Sequence, residues 1–177
     1  MVMAEATNHY FKHLGVSDGL SQVCIPSIYQ DELGAVWLGT TEGLNRYNGK
    51  DVKVFQPSES NHGLTNNEIN ELCGDKNGRM YIRSGNDLIK LDIYTEQFTC
   101  LRQKGVYGLF CKKDTLWVSC ADGIYYYTGQ GTELTFFARV QKGFVGRALY
   151  VDKETVWVVT RKYLVAIPRE DPRRQEI

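Results

Sequence analysis

At 177 residues the chain is long enough to bury the hydrophobic core of one ordinary domain. Its 21 lysines and arginines are balanced by 21 aspartates and glutamates, so no net charge attracts nucleic acid or a membrane surface, and we expect neither partner. No apolar run approaches the roughly 18 residues that cross a bilayer, which also predicts no membrane contact.

The first residues resemble the end of an export signal. Residues 1–8 lack the basic and apolar regions of a complete signal peptide, but Ala4-Glu5-Ala6 has the small-residue pattern that precedes a cleavage site. We therefore expect residues 1–9 to be a disordered leader left from an exported protein.

The first patterned unit spans residues 19–56 and contains VWLGTTEGLNRYNG. Its short runs of β-branched and aromatic residues, separated by turn signals, are typical of antiparallel strands. An aspartate and a glycine in DELG predict a hairpin in which Gly34 takes a positive φ, and Asn48-Gly49 predicts a two-residue type I′ turn. Gly39 and Gly43 lack the Lys-Ser/Thr continuation of a phosphate loop, so they predict close backbone approach instead.

This unit returns three times. Its first aromatic residue recurs at spacings of 44, 36 and 40 residues, as Trp37, Tyr81, Trp117 and Trp157. A branched aliphatic residue follows each of them by seven positions, as Leu44, Leu88, Ile124 and Leu164. Four copies that align at several positions indicate a structural repeat, and we expect these eight side chains to pack between neighbouring units.

Units of about 40 residues with four short strands are the signature of β-propeller blades. We predict an all-β fold, a β-propeller fragment of about four blades, each of four antiparallel strands that are labelled A to D in chain order. The partial propeller covers residues 10–168, with blades at residues 19–56, 63–101, 105–138 and 143–168. Residues 10–14 align with the last strand of the first unit and are expected to act as a D strand that closes the fourth blade. Residues 169–177 are expected to form a tail.

The opening unit resembles the two-component-regulator propeller repeat, whose pattern combines a leading Gly-Leu, an Asp-x-x-Gly turn, and a Trp-x-Gly-Thr-x-x-Gly-Leu core. The matching residues are Gly19, Leu20, Ile28, Asp31, Gly34, Val36, Trp37, Gly39, Thr40, Gly43, Leu44, Tyr47 and Gly49. The second unit keeps part of the pattern, and the third and fourth keep mainly the tryptophan and the strand pattern.

Such repeats are typical of the periplasmic sensor region of hybrid two-component systems of Bacteroides type. The resemblance implies two seven-bladed propellers, an immunoglobulin-like domain, a membrane helix, a histidine kinase and a response regulator in the full-length protein. It further implies a periplasmic location, an oligosaccharide signal, and control of glycan-utilisation genes. The other blades and domains would then be partners of this chain.

Ligand contacts are expected where the repeat is broken on the face of the B–C and D–A loops, because scaffold positions repeat and site residues need not. The candidates there are Arg83, Asn86, Arg161, Lys162 and Tyr163. Arginine and tyrosine suit an oligosaccharide, and an Arg or Lys suits a uronate or sulfate. Each of these residues also has the simpler interpretation of a variable loop position.

No catalytic residue, cofactor or metal site is predicted. Asp31, Asp75 and Asp152 recur in equivalent turns and are interpreted as turn formers, and no histidine has a partner pattern. The five cysteines form no CxxC, and Cys24, Cys73, Cys111 and Cys120 are interpreted as small core residues because they lie in apolar runs. Two alternatives stay open: a propeller enzyme, such as a polysaccharide lyase or glycosidase, and a pure protein-interaction propeller.

A partial propeller exposes apolar blade faces and an unpaired strand edge, and both promote association. The sequence therefore predicts a homodimer or a ring that closes through residues 10–14.

Overall fold

The computed structural model describes residues 12–58, 63–140 and 145–177. Apart from one turn of 3₁₀ helix, Val16–Asp18, the regular elements in these residues are β-strands. The strands form four separate antiparallel sheets whose order follows the chain. This confirms the predicted all-β architecture of successive blades.

Blade one contains β1 (Ser27–Gln30), β2 (Val36–Thr40), β3 (Gly43–Tyr47) and β4 (Val52–Phe55). Blade two contains β5 (Ile69–Gly74), β6 (Arg79–Ser84), β7 (Asp87–Asp92) and β8 (Gln97–Arg102). In both, each strand pairs with the next one along the chain. The first strand of blade two, β5, corresponds to β1 of blade one.

Blade three contains β9 (Val106–Lys112), β10 (Thr115–Cys120), β11 (Gly123–Tyr127) and β12 (Thr135–Ala138). Blade four contains β13 (Val145–Val151), β14 (Thr155–Thr160) and β15 (Leu164–Pro168), and is three-stranded within the described residues. At the position of its fourth strand, Ala166 and Glu176 form an isolated antiparallel bridge with two backbone hydrogen bonds of 2.9 and 3.0 Å. The last residues of the chain therefore fold back onto blade four.

Neighbouring blades pack against each other through the buried side chains on the facing sides of their sheets. Three of the repeated aromatic residues and three of the aliphatic ones are buried against the following blade: Trp37, Tyr81, Trp117, Leu44, Leu88 and Ile124. The opposite faces of blades two to four supply aliphatic residues to the same three clusters. Each sheet is thus buried on both faces where it has two neighbours.

The fourth copies of the two repeat positions have a different environment. Trp157 is only partly buried, and Leu164 is 54% exposed. They occupy the same strand positions as Trp37 and Leu44, but no described blade follows blade four to cover them. The expectation that Leu164 is packed between blades is therefore wrong for the described chain.

The A–B turns explain why aspartate and the aromatic residue repeat together. Asp31 is buried and its carboxylate accepts hydrogen bonds from the backbone N–H groups of Leu33 (3.0 Å) and Ala35 (2.9 Å) and from Trp37 Nε1 (2.7 Å). Gly34 takes a φ of 87°, as predicted. The aspartate therefore shapes the turn and also orients the tryptophan that enters the interface.

The predicted type I′ turn at Asn48-Gly49 is wrong. The connection is a four-residue loop, because Tyr47 pairs with Val52. Gly49 has a positive φ of 97°, but Asn48 does not. The Asn48 side-chain oxygen accepts hydrogen bonds from the backbone N–H groups of Lys50 and Asp51, which favours this wider turn over the two-residue form.

Residues before blade one cover part of the face of blade one that points away from blade two. The Ser21 N–H donates to Asn45 Oδ1 (2.8 Å), and Asn45 Nδ2 donates to Ser21 Oγ (2.7 Å). Leu20 is buried there, as Leu64 is against blade two. Of the predicted closing strand at residues 10–14, residues 10 and 11 lie outside the described residues. Residues 12–14 form no strand, and Lys12 Nζ donates to Tyr47 OH of blade one (3.1 Å).

One interpretation of the cysteines needs correction. Cys24 is exposed in the loop before β1, although its apolar sequence neighbours predicted a core position. Cys73 and Cys111 are partly buried and Cys120 is fully buried. No helix among the described residues has the length and apolar character needed to span a membrane.

Candidate functional site

The sequence-predicted site residues do not converge. Arg83 is 5% exposed, lies within β6, and donates from Nη1 to the carbonyl oxygen of Gly85 (3.0 Å) and from Nε to Glu71 Oε2 (3.4 Å). Its guanidinium is therefore engaged inside the protein, and the expectation that it contacts ligand is not supported. Arg83 occupies the position of Gly39 in blade one. Gly39 lies in close contact with Ile69 of the next blade, whereas Arg83 forms an ion pair with Glu71 of its own blade.

The other candidates lie on exposed B–C turns of different blades. Asn86 is exposed in the turn of blade two, and its carbonyl oxygen accepts a hydrogen bond from the Val106 N–H (3.0 Å). Arg161, Lys162 and Tyr163 form the exposed turn of blade four. The Lys162 and Tyr163 N–H groups both donate to the Thr160 hydroxyl, so the turn is locally fixed and presents its side chains outward.

A polar cluster on the same side of blade three forms its hydrogen bonds among its own members. Arg102 Nη2 donates to Asp122 Oδ1 (2.7 Å), and Tyr125 OH donates to Asp122 Oδ2 (2.8 Å). Although burial alone would raise the pKa of Asp122, these two hydrogen bonds lower it below its ordinary value. The Arg102 guanidinium also lies 4.7 Å from the Tyr125 ring centre. The cluster fixes the end of β8 against blade three.

A concavity lies elsewhere, between blades three and four on the side of the A–B and C–D turns. It has a volume of about 710 Å³ and adjoins a second depression of about 460 Å³ that shares Thr115, Trp117, Lys153 and Arg169 with it. We call the two together the interblade groove. Each of the two volumes lies in the range of small-molecule sites, which is about 300 to 1,000 Å³.

One wall of the interblade groove is aromatic. Trp117 packs against Tyr126 and Phe137, with ring centres 5.6 and 5.0 Å apart. Phe136 from β12 lines the same groove and is 53% exposed. Tyr126 lies opposite its two tyrosine neighbours on β11, as its strand alternation predicts, and this places it on the side of blade four. The wall offers apolar faces on which a flat ligand can pack.

The other wall is basic. The interblade groove is lined by four cationic side chains and only two carboxylates. The cations are Lys112, Lys113, Lys153 and Arg169, and the carboxylates are those of Asp114 and Glu170. Lys112 Nζ donates to the Val151 carbonyl oxygen (2.9 Å). The ammonium groups of Lys113 and Lys153 are exposed and make no hydrogen bond or ion pair with other described residues. They are therefore available to an anionic group of a ligand.

Arg169 connects the two walls. Its guanidinium carbon lies 5.5 Å from the Trp117 ring centre, and its Nη1 donates to the Lys153 carbonyl oxygen (3.0 Å). The Arg169 N–H donates to the Glu154 carbonyl oxygen (2.7 Å), which holds the segment after β15 beside the A–B turn of blade four. Both the position and the orientation of this cation are thus set by the fold.

Sequence reasoning missed the interblade groove because its residues come from five separate segments. Lys112-Lys113 was the one visible signal, but a short basic pair is usually a solvated turn. Arg169 falls after the last repeat strand, where the repeat pattern carries no information. Among the described residues, no group of three or more histidine, cysteine or acidic side chains is arranged to hold a metal ion.

Comparison with known sequences gives a match to one family model and to a longer relative. The family model of the two-component regulator propeller matches residues 19–42, which is the unit whose residues carried the resemblance. A protein of Formosa agariphila named histidine kinase P4 is 40% identical over 53 residues, which are 30% of this chain and 4% of that protein. The chain thus spans only a small part of this relative.

Solved structures share the fold. The chain is similar to the extracellular domain of BT3049 from B. thetaiotaomicron, a protein assigned as a hybrid two-component system, with a TM-score of 0.74 and 21% identity over 91% of this chain and 25% of that one. The extracellular domain of BT4673 from the same organism gives a TM-score of 0.68 and 20% identity over 89% of this chain and 22% of that one.

A computationally designed protein, Ika4, has a TM-score of 0.62 and 14% identity over 85% of this chain and 94% of its own. At these identities the likeness to the three solved structures concerns the fold alone. The chain forms four successive sheets with buried repeat positions, and its first unit matches the family model. We conclude that the chain has a β-propeller fold and carries the two-component regulator propeller repeat.

Proposed function

We propose that the chain is part of the extracytoplasmic, periplasmic ligand-sensing region of a hybrid two-component signalling protein, and that it senses an oligosaccharide to control glycan-utilisation genes. The matched repeat and the relative named as a histidine kinase support the signalling role. The fold likeness to two extracellular domains supports the location.

The observation that carries the choice of ligand is the interblade groove. A pyranose ring has apolar C–H faces that pack on aromatic rings, and the partly exposed side chains of Tyr126 and Phe137 line the groove. A uronate or sulfate carries a negative charge that the exposed Lys153 and the guanidinium of Arg169 match, and an arginine binds such a group through two parallel hydrogen bonds. An acidic oligosaccharide combines both features.

A ligand bound in the interblade groove would change the relative position of two blades. The groove walls belong to two neighbouring blades, with Trp117 on blade three and Lys153 on blade four. A ligand that contacts both walls favours the relative blade position in which both contacts form, and so shifts a pre-existing equilibrium. We propose that this shift is passed to the rest of the full-length protein through the further blades and domains.

The test is calorimetry with a panel of uronate-containing, sulfated and neutral oligosaccharides. Acidic members are expected to bind, and Arg169→Gln and Lys153→Gln are each expected to weaken binding about tenfold or more, since each removes a charge-assisted contact. Arg173→Gln is the matched control, because Arg173 is an exposed arginine in the same tail that does not line the groove. Equal binding by neutral sugars, or equal weakening by the control, contradicts the proposal.

The same mixtures separate the alternatives. We propose that the chain is not an enzyme, so product release from any oligosaccharide in the panel would support a propeller lyase or glycosidase instead. Loss of binding in Tyr163→Ala, without loss in Arg169→Gln, would move the site to the B–C turns, where Asn86, Arg161 and Lys162 also lie. Absence of any oligosaccharide binding would favour the protein-interaction alternative.

We also propose that the isolated chain forms a homodimer through its open blade faces. Blade one exposes Ile28 (66%) and Val54 on one face, and blade four exposes Val159 and Leu164 on the other. Such apolar faces promote association. Sedimentation is expected to show a dimer that Leu164→Lys weakens, whereas a monomer at all concentrations would contradict the proposal.

A further inference from the structure

Two cysteines meet across the interface between blades two and three. Cys73 lies on β5 and Cys111 on β9, the first strands of their blades, and their sulfur atoms are 2.6 Å apart. Covalently bonded sulfurs are separated by about 2.05 Å. All five cysteines are described, and within the described chain these two make the sulfur–sulfur contact.

The strand registers show why these side chains face each other. Cys73 lies opposite Tyr81, whose ring is buried against blade three. Cys111 lies opposite Leu116, which belongs to the same cluster from the other side. The two thiols therefore point into one interface from adjacent strands.

We propose that Cys73 and Cys111 form a disulfide bond that links blade two covalently to blade three. The oxidant is a disulfide, either a protein dithiol–disulfide oxidoreductase or oxidised glutathione. One cysteine thiolate attacks this disulfide, forms a mixed disulfide, and releases one thiol of the oxidant. The second cysteine then attacks the mixed disulfide and releases the other thiol. The chain loses two electrons and two protons, and the oxidant disulfide is reduced to two thiols.

The environment of Cys73 affects the rate of oxidation. Burial, together with the hydrogen bond from Cys111, raises the pKa of Cys73 well above its ordinary value, so Cys73 is a thiol at neutral pH. Because the reacting species is the thiolate, oxidation is expected to be slow at neutral pH and faster as the pH rises.

The Cys73–Cys111 bond lies between blades two and three, whereas the interblade groove lies between blades three and four. Its persistence in the cell rests on the proposed extracytoplasmic location, since disulfides persist in oxidising compartments. Its formation in the purified chain does not depend on location or on any oligosaccharide. The two proposals can therefore fail separately.

The test oxidises the purified chain with oxidised glutathione under native conditions and counts thiols after denaturation. Any cysteine that carries glutathione is identified by its mass and counted separately. Apart from those, the count is expected to fall from the five of the sequence to three, and peptide mapping is expected to join the peptides that contain Cys73 and Cys111. Cys100→Ser, the matched control on β8, is expected to form the same link. Cys73→Ser is expected to form no link within the chain, and a thiol that it loses is expected to carry glutathione.

A stability measurement needs no variant. The bond closes a long segment between residues 38 apart in sequence, so the urea midpoint of the oxidised chain is expected to rise by about 1 M or more. Five thiols after oxidation, a link between other cysteines, or an unchanged midpoint would each overturn the proposal.

Discussion

Replacement of Asp31 by alanine tests how the repeat holds its blades together. The carboxylate is buried and accepts three hydrogen bonds, from the Leu33 and Ala35 N–H groups and from Trp37 Nε1. Without it, the indole N–H of the fully buried Trp37 and the Ala35 N–H lose their acceptor away from water. The interface between blades one and two is expected to weaken most.

The magnitude follows from the unpaired donors. A buried donor left without an acceptor costs about 1–3 kcal/mol, and two of them suggest a loss of about 3 kcal/mol in the free energy of unfolding, after allowance for the desolvation of the lost charge. With an m value of about 2 kcal/mol/M, the urea midpoint falls by about 1.5 M. Asp31→Asn is also expected to destabilise, because one side of its amide places a donor opposite the indole N–H.

Asp152 provides the internal comparison. It accepts from Trp157 Nε1 (2.8 Å) and from the Glu154 (2.8 Å) and Thr155 (2.7 Å) N–H groups, which reproduces the same geometry. Asp152 and Trp157 are, however, partly exposed on the open side of blade four, so water replaces the lost acceptor. Asp152→Ala is expected to shift the midpoint by no more than about half as much. Equal shifts in the two variants, or no shift in Asp31→Ala, would refute the reasoning.

Two further substitutions test packing and pH dependence. Gly39→Val is expected to lower the free energy of unfolding by about 1–3 kcal/mol, because a Cβ there would lie 2.8 Å from Ile69 Cγ2 and 3.0 Å from its carbonyl oxygen. Gly15→Ala, where a Cβ would make only ordinary contacts of 3.8 Å with Asp18 Oδ2 and 3.9 Å with Ser17 Oγ, should leave the urea midpoint unchanged; equal effects would contradict the packing argument. Burial raises the pKa of Cys120 from 9.0 to about 12, with a smaller opposing effect of Arg102. The raised pKa stabilises the fold below the ordinary thiol pKa, and this contribution is lost as the pH rises from about 9 towards 12. Cys120→Ser should reduce the alkaline fall in melting temperature, whereas Cys24→Ser, at an exposed site, should not; no difference between them would contradict the assignment.

The blade architecture could be predicted because it is repeated. One aromatic–glycine unit is ambiguous, but four aligned copies fix the strand order, and strands such as Val52–Phe55 begin and end where the pattern indicates. The repeat also correctly indicated that Trp37, Tyr81 and Trp117 pack between neighbouring blades.

Local turn chemistry was less predictable. Asn48-Gly49 favours a two-residue turn by composition, but the Asn48 side chain bonds to two following N–H groups and widens the loop. Arg83 breaks the repeat, which suggested a ligand contact, yet Glu71 and the Gly85 carbonyl oxygen satisfy it internally. A departure from a repeat shows that a position is different, but its partners decide whether that position binds ligand.

The candidate site could not be predicted at all from the repeat. Trp117, Phe136, Lys153 and Arg169 are distant in sequence and become neighbours only when blades three and four pack together. Nonlocal packing of this kind leaves no periodic signal, and Arg169 lies beyond the last repeated strand. The cysteine pair is hidden for the same reason, since its two members belong to different blades.

The most direct test of the account is a crystal structure of the chain bound to the tightest acidic oligosaccharide of the panel. We predict that a carboxylate or sulfate of the ligand contacts Lys153 and Arg169, and that a sugar ring packs against Tyr126 or Phe137. An oligosaccharide bound on the B–C turns around Tyr163, with the interblade groove empty, would contradict the account.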